Sequence, residues 1–229
     1  MKKIEKRRPI RSFVRREGRI TPAQRYALDS LWEKYGIDYV DQVLNFSEIF
    51  NREAGLVLEI GFGNGESLLQ MAVEAPELNF IGIEVHSPGV GNLLLGIERE
   101  ACQNTRIISH DAVNVLEQMV GDACLDRVQI FFPDPWPKKR HHKRRLIQAG
   151  FVSLLHKKLK PNGVLHLATD WENYAQHMME VLSASEGFRN RVSNGGFYAD
   201  ASSLRPVTKF EQRGLRLGHK IFDLIFEKV

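Results

Sequence analysis

The sequence predicts an α/β fold: a doubly wound, mostly parallel sheet with helices packed on both faces. Short apolar runs alternate with longer amphipathic stretches along the chain, which is the pattern of successive strand and helix units. The 229 residues, 43% of them hydrophobic, suit one domain with a substantial core. A loop with three glycines follows the first long strand, and ligands of such sheets bind at the carboxyl ends of the strands.

The order of the elements follows from periodicity and capping signals. The first helix is predicted at about Pro22–Lys34, where Thr21 and Gln24 form a capping box. Buried strands are predicted at Leu56–Ile60, Phe80–Ile83, Arg106–Ser109, Val128–Phe132 and Val164–Thr169. Helices are predicted at about Glu66–Ala75, Pro88–Gln103, Ala112–Met119, Arg144–Leu159 and Trp171–Ser185. Apolar residues alternate within Lys220–Glu227, which predicts a closing strand.

The positive charge is concentrated in two segments. Residues 1–19 carry nine basic and two acidic groups, and Lys138–Arg145 carries six basic groups. Because the net charge is +4, these segments at +7 and +6 leave −9 on the rest of the chain. Such segregation is typical of a phosphate-binding surface, although charge alone fits a solvated face with a basic tail equally well. We expect residues 1–20 to form a flexible basic arm and residues 21–229 a single domain.

Several classes of protein are disfavoured by what the sequence lacks. No apolar run approaches the roughly 18 residues that span a bilayer, and the N-terminus has no apolar signal region, so a cytoplasmic protein is expected. Cys102 and Cys124 have no metal-like spacing and are expected to be structural. The same holds for His86, His110 and His166, for which packing or capping is expected, and no metal is predicted.

The segment Leu56–Gly65, LVLEIGFGNG, is a strand that enters a glycine loop and then a helix. Gly61, Gly63 and Gly65 allow tight backbone turns and a close approach to a ligand. The nicotinamide fingerprint places its third glycine three residues after its second, whereas the interval here is two. A G-x-G-x-G loop after an acidic residue resembles the loop of class I methyltransferases that bind S-adenosylmethionine (SAM).

Acidic residues end the first three long strands. Glu84 is placed to accept hydrogen bonds from ribose hydroxyls, Asp111 to accept from an adenine amino group, and Glu59 to favour the cationic methionyl end of SAM. Each residue taken singly fits a helix cap or a surface acid better. The three together, at carboxyl ends of neighbouring strands, indicate a dinucleotide or SAM pocket.

The segment Phe131–Arg145, FFPDPWPKKRHHKRR, follows the fourth long strand. Two prolines fix φ on either side of Asp134, and this stiffness suits a positioned carboxylate. The alternative is an Asx-type turn that caps the next helix. Trp136 fits either stacking on a base or closing the edge of the core. Arg144 and Arg145 are expected at the start of a helix, where the dipole disfavours cations unless a phosphate binds there.

The sequence resembles the bacterial tRNA (guanine-N7-)-methyltransferase family. The resemblance covers Arg11 to Gly214 through RSFVRREGRIT, LEIGFGNG, GIEVHSPGVG, FFPDPWPKKRHHKRR, HLATDW and RPVTKFEQRG. It implies a Rossmann-like sheet of seven strands with an antiparallel edge strand, and methyl transfer from SAM to N7 of a guanine in tRNA, at position 46 of the variable loop. We also expect a monomer or homodimer that needs no protein partner.

The resemblance also assigns site residues. With the glycines Gly61, Gly63 and Gly65, the expected SAM contacts are Glu59, Glu84, Asp111 and Asp134, of which Asp134 is also catalytic. The expected substrate contacts are Lys138, Asp170, Thr208, Lys209, Phe210 and Glu211. The expected RNA contacts are Arg140, His141, His142, Lys143, Arg144 and Arg145. Without the resemblance, Thr208–Glu211 would be assigned a structural role.

The implied chemistry needs alignment more than a base, because guanine N7 carries a free lone pair and no proton. Asp134 and Asp170 are suited to accept from guanine N1–H and the 2-amino group and to stabilise the charge of the product ring. Three alternatives stay open: a nicotinamide oxidoreductase, a non-catalytic RNA-binding protein, and a methyltransferase that acts on an exocyclic amine of a base.

Overall fold

The computed structural model describes residues 18–198 and 204–229. Most of the predicted basic arm therefore lies outside the described residues. The described chain forms one eight-stranded sheet with helices on both faces. None of its helices is both long enough and apolar enough to cross a membrane.

The sheet is mostly parallel and has the order β1-β4-β3-β2-β5-β6-β8-β7. Its strands are β1 Gly36–Ile37, β2 Leu56–Ile60, β3 Asn79–Ile83, β4 Thr105–Ile108, β5 Leu125–Phe131, β6 Leu159–Thr169, β7 Phe188–Asn190 and β8 Phe222–Lys228. The register places Val57 of β2 beside Phe80 of β3 on one side and Arg127 of β5 on the other. The chain order reverses at β2, and this reversal is where ligands bind in open parallel sheets.

The sheet differs in two respects from the seven-stranded arrangement that was expected. The additional strand β1 pairs parallel with β4 at one edge, and its two residues are too few to give a periodic signal. The antiparallel strand β8 lies inside the sheet between β6 and β7, because the three-residue strand β7 covers it.

The predicted helices begin and end close to their predicted bounds with two exceptions, although α5 ends at Arg99 and not at Gln103, and α3 and α9 were not predicted. The helices are α1 Pro22–Ser30, α2 Trp32–Tyr35, α3 Phe46–Phe50, α4 Glu66–Glu74, α5 Ser87–Arg99, α6 Ala112–Gln118, α7 Ala149–Lys158, α8 Glu172–Ser183 and α9 Lys209–Arg216. The predicted capping box of α1 is present, but the predicted single helix is divided at Leu31 into α1 and α2. The helix predicted from Arg144 begins only at Ala149.

The late start of α7 has a physical cause in the preceding segment. Residues Lys139–Arg144 form a 3₁₀ helix, and Arg145 has an extended backbone with ψ of 136°. The Arg145 side chain turns inward and donates from Nε to the carbonyl oxygen of Pro135 at 3.0 Å. Arg144 and Arg145 therefore do not lie at the N-terminus of α7, and this prediction was wrong.

Two hydrophobic clusters hold the sheet between its helices. One packs α6, α7 and α8 against the sheet and includes Leu116, Leu155 and Met178. The other packs α1, α4 and α5 against the opposite face and includes Leu68 and Leu93. Because helices cover both faces of the sheet, β2 and β3 are buried along their whole length. Burial on both faces explains why these strands are short, mainly apolar runs in the sequence.

Candidate active site

The glycine loop after β2 turns through backbone conformations that favour glycine. Gly61, Gly63 and Gly65 have φ of 77°, 59° and 77°. A Cβ on Gly65 would lie 2.7 Å from the Cβ of Leu93, so this glycine allows α4 to approach α5. A Cβ on Gly61 would meet nothing within 4 Å, because the backbone there borders open space. The loop therefore presents its backbone to a cavity.

Two cavities meet at this loop. The larger, of about 410 Å³, lies at the carboxyl ends of β2, β3 and β5, and its predicted site residues are Gly61, Gly63, Glu84, Asp134 and Phe210. The smaller, of about 150 Å³, extends towards the start of α4, and its predicted site residues are Glu59, Gly61, Gly65, Thr208, Lys209 and Phe210. Gly61, Phe131, Phe132 and Phe210 line both cavities.

Glu84 joins the glycine loop to the loop after β3. Its Oε2 accepts from the backbone N–H of Gly63 at 2.9 Å, and its Oε1 accepts from Val85 at 2.6 Å and His86 at 3.0 Å. A carboxylate has about four acceptor sites, so roughly one remains for a ligand. Glu84 can thus accept one ribose hydroxyl while it keeps all three backbone bonds, and a second hydroxyl would replace one of them.

Glu59 is a buried acid, with only 3% of its surface exposed. Burial raises its pKa to about 7; the hydrogen bond from Gln129 opposes this rise, and the negative charge of Glu84 adds to it. The Gln129 Nε2 donor lies 2.7 Å from Glu59 Oε2. A cation in the small cavity would favour the ionised form of Glu59, as predicted for the methionyl end of SAM.

Asp111 caps α6 through a 3.0 Å hydrogen bond from the Val113 N–H to its Oδ1. Its neighbours His110 and Ala112 line the large cavity, and the adenine contact of Asp111 stays a prediction. His86 also lines this cavity and is the N-cap residue of α5, which agrees with the expected capping position. The ring of Tyr39 stacks on that of His110 with centroids 3.9 Å apart, a contact that no sequence pattern indicated.

Asp134 stands on a stiff turn and lines the large cavity. Phe132 and Trp136 flank the turn with positive φ, 52° and 45°, which is unfavourable for residues that carry a Cβ. The Phe132 N–H donates to the carbonyl oxygen of Ala168 on β6 at 2.8 Å, which holds the entry to the turn. The exposed Asp134 therefore borders the same cavity as the glycine loop.

The basic segment divides into exposed and buried cations. Lys138, Lys139, Arg140 and Lys143 are exposed. Arg145 is only 3% exposed, and its Nη2 donates to Asn173 Oδ1 at 2.7 Å. The predicted RNA contact of Arg145 is therefore not available, because its guanidinium is used inside the fold.

The other residues of this segment have mixed environments. The Arg144 guanidinium carbon lies 3.9 Å from the centroid of the Trp136 ring, so a cation–π contact covers one face of this half-buried tryptophan. His141 makes an edge contact with the same ring, and the carbonyl oxygen of His142 accepts from Gln148. These contacts shape the loop after Asp134.

The C-terminal substrate segment forms the start of α9. Thr208 Oγ1 accepts from the Glu211 N–H at 3.1 Å and so caps the helix. Lys209 Nζ lies 2.5 Å from Glu66 Oε1 of α4. Phe210 is 58% exposed and separates the two cavities. Three of the four predicted residues thus line the small cavity, while Glu211 points to Arg205.

Asp170 follows β6 and contacts the far end of α9. His219 Nδ1 lies 3.0 Å from Asp170 Oδ2. A Cβ on Gly214 would lie 2.9 Å from the same oxygen, so a larger residue there would displace the Asp170 carboxylate. Arg205 and His219 were missed by sequence reasoning: Arg205 begins the RPVTKFEQRG segment but was given no role, and His219 lies in no quoted motif.

The fold and the site together define a class I SAM-dependent methyltransferase. A family model described as putative methyltransferase matches residues 53–224. The chain resembles the solved 16S rRNA methyltransferase KamB with a TM-score of 0.56 and 10% identity, over 80% of this chain and 92% of that chain. It resembles an antibiotic-related methyltransferase with a TM-score of 0.55 and 17% identity, over 83% of this chain and 96% of that chain. At these low sequence identities, the structural similarity shows only that the chain shares the fold of these proteins.

Curated relatives are far more similar. The chain is 58% identical to the tRNA (guanine-N(7)-)-methyltransferase of Shewanella amazonensis over 97% of this chain and 93% of the relative. It is 55% identical to the enzyme of the same name from Klebsiella pneumoniae over 97% of this chain and 92% of the relative. The chain belongs to the tRNA (guanine-N7-)-methyltransferase family.

Proposed function

We propose that this protein transfers the methyl group of SAM to N7 of guanine in tRNA, giving 7-methylguanosine and S-adenosylhomocysteine, and that the target is guanine 46 of the variable loop. One observation carries the proposal: the Asp134 carboxylate and the glycine loop line a single cavity, and exposed cations follow Asp134 directly. The family relationship supports the same reaction.

The two cavities fit the two ends of SAM. A volume of about 410 Å³ is in the usual range for a small-molecule site, and Glu84 and Asp134 supply acceptors there for the adenosine and sulfonium side. In the small cavity, Ser67 Oγ is buried and has no hydrogen-bond partner among the described residues. With Glu59 it would hold the methionyl carboxylate and ammonium. When bound, SAM supplies an electrophilic methyl group on a positively charged sulfur.

The residues of the chain supply alignment and charge. Because N7 of guanine already has a free lone pair, no side chain has to remove a proton from it. Asp134 and Asp170 would accept from N1–H and the 2-amino group, which fixes the ring and offsets the positive charge that the product acquires. Holding the base in line with the methyl group makes the step effectively intramolecular, worth several kcal/mol.

The exposed cations next to Asp134 fit an RNA backbone. Lys138, Lys139, Arg140 and Lys143 are exposed on the loop that leaves the cavity, so they can neutralise phosphates around an inserted base. We assign residues 1–20 to a basic arm and 21–229 to the catalytic domain. We further propose a cytoplasmic enzyme, monomeric or homodimeric, that needs no protein partner and no metal.

The test is incubation of the purified protein with bulk tRNA and labelled SAM, followed by nucleoside mass spectrometry. We expect 7-methylguanosine from the wild type and a loss of at least about a hundredfold in rate for Asp134→Ala. Thermal unfolding checks that the variant keeps its fold, because Asp134 is itself a predicted SAM contact. A label found on an exocyclic amine of a base, or no label at all, would contradict the proposal. Stabilisation by NAD in place of SAM in a thermal-shift assay would favour an oxidoreductase.

A further inference from the structure

Arg205 lies at the centre of a buried ionic network behind the cavities. It is only 5% exposed, and its Nε and Nη2 donate to the two carboxylate oxygens of Asp223, both at 2.8 Å. Its Nη1 donates to Oε2 of Glu211. Within the sheet, His166 Nε2 on β6 lies 2.7 Å from Asp223 Oδ1 on β8. The network therefore connects β6 and β8 of the sheet to the start of α9.

The same guanidinium also contacts the other half of the site. Its central carbon lies 5.3 Å from the ring centroid of Phe131 and 5.6 Å from that of Phe132. Phe132 is the residue with φ of 52° that begins the Asp134 turn. Arg205 thus supports a strained residue on one side and a predicted substrate residue on the other.

Two carboxylates that are predicted to contact the substrate are each bound within the fold through only one of their two oxygens. Glu211 Oε2 is bound by Arg205, and Asp170 Oδ2 by His219. Within residues 18–198 and 204–229, the second carboxylate oxygen of each accepts no hydrogen bond. A carboxylate oriented in this way is an acceptor of fixed direction, suited to a base that presents N–H donors.

We propose that Arg205 is a positioning residue for the base that is methylated. It orients Glu211 at the start of α9 through a direct ion pair and supports the Asp134 turn through the ring of Phe132, so that one side chain fixes two predicted contacts of the base. The inference rests on the proposed function. It assigns to Arg205 no contact with the substrate itself.

A purely structural role predicts different behaviour. A buried ion pair elsewhere in the fold would lower stability when broken but would leave the kinetics of the folded fraction unchanged. Lys158 provides a control distant from the cavities: it is 7% exposed and its Nζ lies 2.7 Å from Asp122 Oδ1, although the Asp122 side chain is 71% exposed. The pair lies just before β5 and β6, at the opposite edge of the sheet from the cavities.

The experiment compares Arg205→Lys and Arg205→Met with Lys158→Met in the full chain. Thermal unfolding, the Kd for SAM, and kcat and KM for tRNA are measured for each. Lys keeps the charge but loses the planar fork, so we expect Arg205→Lys to fold, to bind SAM within about twofold of the wild type, and to lose about tenfold to a hundredfold in kcat/KM for tRNA. Lys158→Met is expected to leave kcat/KM unchanged, whatever the size of its effect on thermal stability, because the pair lies far from the cavities.

The outcomes separate the two proposals. If the wild type transfers no methyl group to tRNA, the proposed function fails. If the wild type is active and Arg205→Lys keeps kcat/KM within twofold, Arg205 is structural and the inference is wrong. The inference also fails if SAM affinity falls in parallel with activity, since the whole site would then have collapsed. If Arg205→Met does not fold, Arg205→Lys still distinguishes a positioning role of Arg205 from a purely structural one.

Discussion

The raised pKa of Glu59 predicts that SAM affinity depends on pH. Burial raises this pKa from 4.5 to about 7, so about half of the unliganded protein carries a protonated Glu59 at pH 7. If the cationic methionyl end binds only to the carboxylate, the apparent Kd grows as the protonated fraction grows. Between pH 7.0 and 5.5 the apparent Kd then rises about fifteenfold.

The same shift has a consequence for stability. The folded-state pKa is raised, so the contribution of Glu59 is most favourable below its ordinary pKa and is lost as the pH rises through about 7. A shift from 4.5 to about 7 corresponds to about 3 kcal/mol, which is the cost of ionising the buried carboxyl in the unliganded fold. Glu59→Gln removes this cost and keeps the shape of the side chain. We therefore expect the variant to be more stable than the wild type at pH 8 without SAM.

Calorimetry of SAM binding at pH 5.5 and 7.0 checks the first expectation. Both values lie below the usual α-amino pKa of about 7.7–8.0, so the ligand stays cationic. His86 and His110 also line the large cavity, and Glu59→Gln serves as the control for them because it keeps both. The variant should bind SAM more weakly at pH 7.0 and with a flatter pH dependence. Equal pH dependence in both proteins would refute the reasoning.

Two further predictions concern the basic segment and the glycine loop. The double variant Arg140→Gln, Lys143→Gln should bind tRNA more weakly, and the slope of log K against log salt concentration should fall by about 1 per lost phosphate contact. The control Arg99→Gln changes an exposed residue at the end of α5 and should alter neither quantity. An unchanged slope for the double variant in a filter-binding titration would contradict the proposed RNA surface. Gly65→Ala should destabilise the fold by about 2–4 kcal/mol, because φ is 77° and the new Cβ would meet Leu93 at 2.7 Å. The control Gly150→Ala places its Cβ in open space within α7 and should stabilise by up to about 1 kcal/mol in denaturant unfolding, so similar effects of both changes would exclude the packing argument.

Much of the candidate site could be predicted from the sequence, because its residues directly follow predicted strands. Glu59 and Glu84 lie at the carboxyl ends of β2 and β3, and a parallel sheet necessarily brings such ends together. The prolines around Asp134 indicated a stiff turn, and the positive φ of Phe132 and Trp136 agrees with that interpretation. The contacts of Arg205 and His219 could not be predicted from the sequence, because they depend on where α9 lies against β6.

The sequence by itself determined the alternation of strands and helices, the glycine loop, the acids at the strand ends and the segregation of charge, since these depend on local spacing and periodicity. The tertiary structure decided which cations remain exposed. Arg145 and Lys143 are indistinguishable by charge and neighbourhood in the sequence, yet one is buried against Pro135 and Asn173 and the other faces solvent. Burial and pairing depend on residues distant in the chain, and only the packed fold brings those residues together.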